Sequence, residues 1–359
     1  MKSIVQRHSS NPIITPNMVK PTQSDFKVDG VFNAGVTRFN DEIILLIRVA
    51  ESVITKDEDI VGVPIFVKED EQYQLQVAYY DKRKDGELYD FSDSRTIRRQ
   101  SDHKVVHLTS ISHFRLARSK DGINFHIEDR SFLVAENQYE TWGIEDPRIT
   151  KIDNSYYITY SAVSEYGVAT AMIKTNDFKN YERLGIIFVP ENKDVSIFPE
   201  KINGYYYAYH RPVPKEIGNA NIWVSKSKDL INWSHHEHLL SVSENGWENG
   251  RIGGGGPSVK TENGWLHIYH AADKNDCYCL GAILTDIDDP GHIIAKTQYP
   301  IMVPEASYEK VGFFGNVVFT CGILLEEDLV KIYYGASDEV IGFAEVLLKD
   351  IYDVLEKYE

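Results

Sequence analysis

"DPRITKIDNSYYITYSAVS", residues 146–164, enters as an apolar stretch, meets an Asp-Asn turn signal at 153–154 and leaves as an aromatic strand ending in small or polar residues. Aromatic and β-branched residues on both sides of such a turn describe a β-hairpin. The plan recurs in "NAGVTRFNDEIILLIRVAES" from Asn33, "FPEKINGYYYAYHRP" from Phe198, "GPSVKTENGWLHIYHAAD" from Gly256 and "NVVFTCGILLEEDLVKIYYGASD" from Asn316. The turns fall at Asn40, Asn154, Asn203, Asn263 and near Asp328. The last four are similarly spaced, whereas the first interval is about twice as long, so the first unit carries an insertion. The charged segment 51–104, with "DKRKDGELYDFSDSRTIRRQ", fits that insertion.

A second motif follows several hairpins: "LARSKDGINF" at 116, "MIKTNDFKNY" at 172, "VSKSKDLINW" at 224 and, more loosely, "AILTDIDDPGHI" at 282. Each reads as a strand, a Ser/Thr-x-Asp turn and, in the first three, a covering aromatic. Two hairpins per repeat make a four-stranded antiparallel sheet, which cannot bury both faces alone and becomes stable when stacked in a ring. The sequence therefore predicts an all-β fold, a five-bladed β-propeller forming a single domain over 1–359. In the tail "EVLLKDIYDVLEKYE", helical spacing of Val346, Leu347, Ile351, Val354 and Leu355 predicts a short C-terminal helix or closing strand. A β-sandwich gives no reason for one hairpin to recur five times, and a doubly wound α/β fold needs helices that the sequence lacks.

Composition agrees with a strand-rich globular chain. Of 359 residues, 42% are hydrophobic and 22 are tyrosine. The formal charge of −16 disfavours nucleic acid and anionic membranes as partners, so any anion must be captured by a local basic pocket. No apolar run is long enough for a signal peptide or a membrane span, which makes a cytoplasmic setting the expectation. Cys277, Cys279 and Cys321 lack zinc-type spacing and read as unpaired thiols. No metal site is expected. A homo-oligomer is compatible with the sequence.

The repeat brings chemistry together. In a propeller, the starts of the innermost strands and the ends of their partners meet at one rim. Aligning the turns puts Asn33, Asp146 and Asn316 near strand starts. Counting past the turns gives Arg48, Ser161, His210 with Arg211, His270 and Gly335, then Asp273 and Asp338. Trp142 offers a flat apolar face suited to a sugar ring, although most aromatics here serve packing. Arg95, Arg115, Arg148, His210, Arg211 and Lys174 are candidates for an anion cradle, arginine being suited to bidentate phosphate contacts. Surface pairing is the competing reading of Arg95 and Arg115. A Pro-flanked Asp such as Asp146 is commonly a turn former. Beside Arg148 it would also be held ionised, whereas a general acid needs a raised pKa. A bound anion occupying the arginines would resolve that conflict. Glycoside cleavage ordinarily takes two carboxylates, but phosphate arrives already anionic and needs no protein base.

"FNAGV" at 32, "LLIRVAES" at 45, "LTSISHFRLARSKDG" at 108, "GIEDPRI" at 143, "YHRP" at 209, "GGGGPSV" at 253 and "YYGASD" at 333 together resemble glycoside hydrolase family 130 over nearly the whole chain. The resemblance implies a five-bladed fold and inverting phosphorolysis of β-mannosides, with inorganic phosphate as substrate and no cofactor. It implies Asp146 as general acid, acting through a hydroxyl of the bound mannose. Asn33, Arg48 and Asp338 match the sugar site, with Trp142, His270 and Asp273 as further substrate candidates. Arg95, Arg115, Arg148, His210 and Arg211 best match the phosphate contacts. The wording around residue 108 is similar to members acting on β-1,2-linked mannobiose and short mannooligosaccharides, with the β-1,4-mannosyl-glucose and β-1,4-mannooligosaccharide types as rivals. A family hydrolase would need a base, for which Glu145 or Asp273 are available. A non-catalytic sugar-binding propeller would not require Asp146.

Overall fold

The structure is a computed structural model and describes residues 3–358. It is all-β and is built from small antiparallel sheets. Five of them repeat one four-strand plan. The first sheet contains Phe26–Phe39, Glu42–Val53, Ser110–Ser119 and His126–Leu133 in hydrogen-bonded order. The second runs consecutively through Ile144–Ile152, Ser155–Ser164, Gly167–Thr175 and Tyr181–Phe188. The third is Asn192–Ile197, Tyr206–Pro212, Ile222–Ser227 and Trp233–Leu240. The fourth begins as two pieces, Arg251–Gly254 and Val259–Thr261, both paired with Gly264–Ala272, and continues through Tyr278–Thr285 and Ile293–Thr297. In the fifth, Val318–Glu326, Leu329–Ala336 and Val340–Leu347 are completed by the N-terminal strand Gln6–Arg7.

The hairpin turns lie where the repeat places them, with Asn40 and Asn203 in the left-handed conformation that asparagine tolerates better than most residues. The outer turns explain their own motif. Asp121, Asp177 and Asp229 each accept from the backbone N–H groups two and three residues on, and from the side chain of Asn124, Asn180 or Asn232. Ser119, Thr175 and Ser227 take a further N–H each, from Gly122, Phe178 and Leu230. These acids belong to turns.

Apolar layers join the sheets in succession. Leu46 and Phe114 of the first sheet meet Ile149 and Ile158 of the second, and Met172 of the second meets Val195 and Ala208 of the third. Tyr209 of the third, with Phe198 just beyond its innermost strand, packs on Trp265 and Ile283 of the fourth, whose Leu266 and Leu280 pack on Val330 and Ile332 of the fifth. Tyr333 and Phe343 of the fifth then lie against Val31 and Ile47 of the first. Each fully buried side chain of this kind contributes roughly 1.5–3 kcal/mol, so these layers outweigh the exposed ion pairs, at about 0–1 kcal/mol each.

Two features differ from the sequence reading. The extra strands run from Ile60 to Leu108 rather than over 51–104: a hairpin, Ile60–Glu69 with Gln72–Asp81, and a three-stranded sheet, Tyr89–Asp90, Thr96–Arg99 and Val105–Leu108. Val53 stays in the first sheet because it packs on Phe26 and Ile111. The tail forms both elements that had been alternatives, helix Leu348–Tyr352 and strand Leu355–Lys357. That strand joins the outer edge of the fourth sheet, while Gln6–Arg7 supplies the missing edge of the fifth. Cys277, Cys279 and Cys321 are all free. No helix of the described residues is long and apolar enough to cross a membrane.

Candidate active site

The innermost strands of the first three sheets share an irregularity. Register shifts occur between Phe32 and Gly35, Glu145 and Arg148, and Lys193 and Ser196, where Asn33, Asp146 and Asp194 have φ of 48°, 53° and 57°. Bulges of this kind re-aim a side chain, and Asn and Asp tolerate the left-handed conformation. All three side chains line one cavity of about 250 Å³, together with Arg48, Arg95, Glu145, Lys193, Arg211, Arg251, His270 and Asp338. Five cations thus face four carboxylates in a chain whose formal charge is −16.

Asp146 is 6% exposed. Its Oδ1 accepts from Asn33 Nδ2 and Arg48 Nη1, both at 3.0 Å, while Arg48 Nη2 donates to Glu145 at 2.7 Å. Burial alone would raise the Asp146 pKa, but Arg48, Lys193 and Arg148 outweigh it and hold the carboxyl below its usual range. Asp338 goes the other way. Burial, reinforced by the negative charges of Asp146 and Glu145, pushes it up to about 6 against the pull of Arg48 and Arg95. Two carboxyls in one cavity therefore have opposite proton affinities.

Beneath them lies a buried ionic knot. Asp194, 2% exposed, is 3.1 Å from Arg148 Nη2, 2.8 Å from Arg211 Nε and 3.3 Å from His270 Nε2. Burial opposes its charge, yet Arg211, His270 and Arg148 together keep it ionised well below the normal range. Arg148 also donates to the carbonyls of Asp146, Gly254 and Gly255. The glycine run permits this closeness: a Cβ on Gly253 would lie 2.3 Å from Asp194 Oδ2, and one on Gly255 2.2 Å from the Ile268 carbonyl. The Arg211 side chain pairs with Asp194 through Nε, whereas the Lys193 side chain forms neither hydrogen bond nor ion pair among the described residues. Arg95 is tied to Asp93, with its guanidinium 4.8 Å from the Phe314 ring centroid. Arg251 is held by Tyr278 and Asp276.

Of the residues singled out from sequence, the cavity gathers Asn33, Arg48, Arg95, Glu145, Asp146, Arg211, His270 and Asp338. Others lie elsewhere. His210 alternates with Arg211 along the strand and faces away, stacked on Phe188 and bonded to Asn192 and Ser225; burial, with His236 nearby, lowers its pKa to about 3. Arg115 is buried inside the first sheet beside His113 and Glu51. Arg148 supports the floor without lining the cavity. Trp142 lies beside His107, Asp273 caps the N–H groups of Asn275 and Cys277, and Lys174 rests over Tyr157. Lys193, Asp194, Arg251 and Tyr278 were missed. "NKDVSI" at 192 is the third innermost strand, and starting that repeat at Phe198 left out the counterpart of Asp146. Among the described residues, no group of three or more His, Cys, Asp or Glu side chains is arranged to hold a metal ion.

Residues 103–357 match the profile of glycoside hydrolase family 130, described as beta-1,4-mannooligosaccharide phosphorylase. The chain is 46% identical over 353 residues, 98% of both chains, to the beta-1,2-mannobiose phosphorylase of Listeria innocua. It is 44% identical over 246 residues, 67% of this chain and 80% of the relative, to the 1,2-beta-oligomannan phosphorylase of Thermoanaerobacter sp.. A solved structure of the Listeria innocua beta-1,2-mannobiose phosphorylase with beta-1,2-mannobiose superposes with a TM-score of 0.93 at 45% identity, covering 97% of this chain and 98% of that one. A profile matching well over half the sequence and a relative aligned almost end to end leave one assignment: the chain belongs to glycoside hydrolase family 130.

Proposed function

We propose that the chain is an inverting mannoside phosphorylase. It transfers the mannosyl group of β-1,2-linked mannobiose, or a short β-1,2-mannooligosaccharide, to inorganic phosphate, giving α-mannose 1-phosphate and a shortened acceptor. One observation carries this reading: a buried carboxylate, Asp146, shares a cavity with Lys193, which has no ion-pair partner among the described residues, and with Arg211, which is paired with Asp194 through Nε. A phosphate held there would attack C1 while the C1–oxygen bond to the acceptor breaks. Asp146 would supply the proton for the departing oxygen through a mannose hydroxyl. Phosphate bound at Lys193 and Arg211 would offset the positive charge that keeps Asp146 ionised, raising its pKa toward that of a working acid.

The hydrolytic alternative needs a base to activate water. Glu145 is pinned by Arg48 at 2.7 Å and Asp273 is spent on a turn, which favours phosphate as nucleophile. The β-1,2 linkage is favoured over β-1,4 by the near full-length similarity to the Listeria innocua beta-1,2-mannobiose phosphorylase. The five sheets, joined in succession by apolar layers that return to the first, are proposed to be the blades of one five-bladed β-propeller domain. The reaction calls for no metal or organic cofactor, and a cytoplasmic setting would retain the phosphorylated sugar inside the cell.

The test is to incubate the protein with β-1,2-mannobiose and with a β-1,4-linked disaccharide in phosphate buffer and quantify mannose 1-phosphate. We expect turnover of the β-1,2 substrate to exceed the other at least tenfold. Preference for the β-1,4 substrate would overturn the linkage.

A further inference from the structure

Three of the repeated sheets place an aromatic residue directly before a buried glutamate: Tyr139 before Glu140, Trp247 before Glu248 and Tyr308 before Glu309. In the fourth sheet that aromatic folds inward. The Trp247 ring centroid is 5.7 Å from that of Tyr269, and a Cβ on Gly281, the cross-strand partner of Tyr269, would lie 2.6 Å from Trp247 Cη2. In the fifth, Tyr308 packs against the core with its hydroxyl 3.1 Å from that of Tyr334, whose cross-strand partner is again a glycine, Gly342. The second sheet departs from this plan. Tyr139 is 39% exposed and meets the 56% exposed Tyr166 edge-on, with ring centroids 6.0 Å apart. The place beside Tyr160 is instead a cavity of about 400 Å³, walled by Tyr160, Ala162, Ala171 and Ile186 on one face of the sheet. A Cβ on Gly185, at its mouth, would meet no atom within 4 Å among the described residues.

The walls decide what the cavity accepts. Its polar groups already satisfy one another: the Tyr160 hydroxyl donates to Glu140, and Arg183 Nη1 donates to both carboxylate oxygens of Glu140, at 2.8 and 2.9 Å. The two charges cancel, so no ion is drawn in, and few free donors or acceptors remain for the many hydroxyls of a sugar. What the cavity offers is apolar surface, at a size within the range of small-molecule sites. The sister sheets show what such a surface beside the tyrosine takes. It is a flat ring, the Trp247 indole in the fourth sheet and the Tyr308 phenol in the fifth, each large in apolar area and polar at one edge.

We propose that this cavity is a binding site for a free, uncharged aromatic small molecule the size of indole or phenol. It shares no lining residue with the candidate active site, so the proposal stands apart from the mannoside reaction. The experiment is titration calorimetry of the full chain with indole, phenol and mannose, for the parent protein and for Ala171→Leu, Ile186→Trp and Tyr139→Ala. We expect one indole to bind per chain with a Kd of about 1 mM or tighter, and mannose to leave the cavity empty. Filling the cavity with Ala171→Leu or Ile186→Trp should weaken indole binding about tenfold or more; Ile186 is half-buried, so its variant keeps the test available if the first disturbs the core. Tyr139→Ala should leave the affinity within about threefold, since its ring lies outside the proposed position. A parent without saturable indole binding, or binding that the filled variants retain, would overturn the proposal. So would indole binding that appears only in Tyr139→Ala, which would make Tyr139 itself the occupant, or mannose binding that the filled variants abolish.

Discussion

Asp146 and Asp338 share one cavity, and their proton affinities are shifted in opposite directions. Arg48 donates a hydrogen bond to Asp146, while Asp338 is left with the cost of burial beside two other acids. Replacing Asp146 by Asn removes the exchangeable proton but keeps the shape. We expect kcat to fall by about 10²–10⁴, the usual worth of general acid catalysis, with the folded protein intact by circular dichroism. Loss of less than threefold would remove Asp146 from the chemistry. Asp338 makes a prediction of opposite sign for stability. Its folded pKa of about 6 lies above the unfolded value of about 3.9, so the folded state binds the proton more tightly and stability declines as pH rises between them. Asp338→Asn should therefore raise the melting temperature at pH 7.5, with the gain vanishing near pH 4, while mannobiose turnover falls. A melting temperature that drops at pH 7.5 would contradict this assignment of charge. At this scale the sequence was legible where a residue lay at a countable distance from a turn, as with Arg48, His270 and Asp338. It was not legible where strand alternation decided the direction, which separates His210 from its neighbour Arg211, nor where burial turned Arg148 from a ligand contact into a support.

The repeated sheets carry a polar device that the hairpin pattern does not reveal. In three of them, a glutamate from the segment entering the innermost strand is buried and accepts from a tyrosine of the second strand. A basic residue of the fourth strand completes each trio: Glu140 with Tyr160 and Arg183, Glu248 with Tyr269 and Lys296, Glu309 with Tyr334 and Arg7. Each trio pins the entry segment across the full width of its sheet. Glu309 is 0% exposed and also accepts the N–H groups of Glu305 and Ala306, so Glu309→Ala would remove the buried carboxylate shared by Arg7, the Tyr334 hydroxyl and both N–H groups, leaving Arg7 only Glu305 and the Val303 carbonyl. Breaking a buried pair by removing one partner costs about 3–5 kcal/mol, and we expect a loss of that size from urea unfolding. A change below about 0.5 kcal/mol, the ordinary range for surface substitutions, would show that the trio adds nothing. The Ser/Thr-x-Asp turns were readable because their chemistry is local. The glutamates were not, because each is set by partners in separate strands.

At the scale of the molecule, the candidate-site cavity concentrates cations in an acidic protein, and its floor is assembled from several sheets. Arg148 of the second sheet reaches Asp194 of the third and the Gly254 and Gly255 carbonyls, which lie at the start of the fourth. Five hairpins in sequence revealed that plan. The completion of the fifth sheet by Gln6–Arg7 was hidden, since two residues carry no pattern. A ligand that binds only the folded protein stabilises it, by about 2.7 kcal/mol at a hundredfold excess over Kd. Phosphate should accordingly raise the melting temperature, and the Arg211→Met variant should lose that response; an equal rise in both would place the anion elsewhere. The most direct measurement is the consumption of β-1,2-mannobiose in buffer stripped of phosphate and again with phosphate restored, with products identified by NMR. We expect negligible cleavage without phosphate and, with it, one α-mannose 1-phosphate for each mannobiose consumed. Full cleavage to free mannose in the stripped buffer would contradict phosphate as the nucleophile.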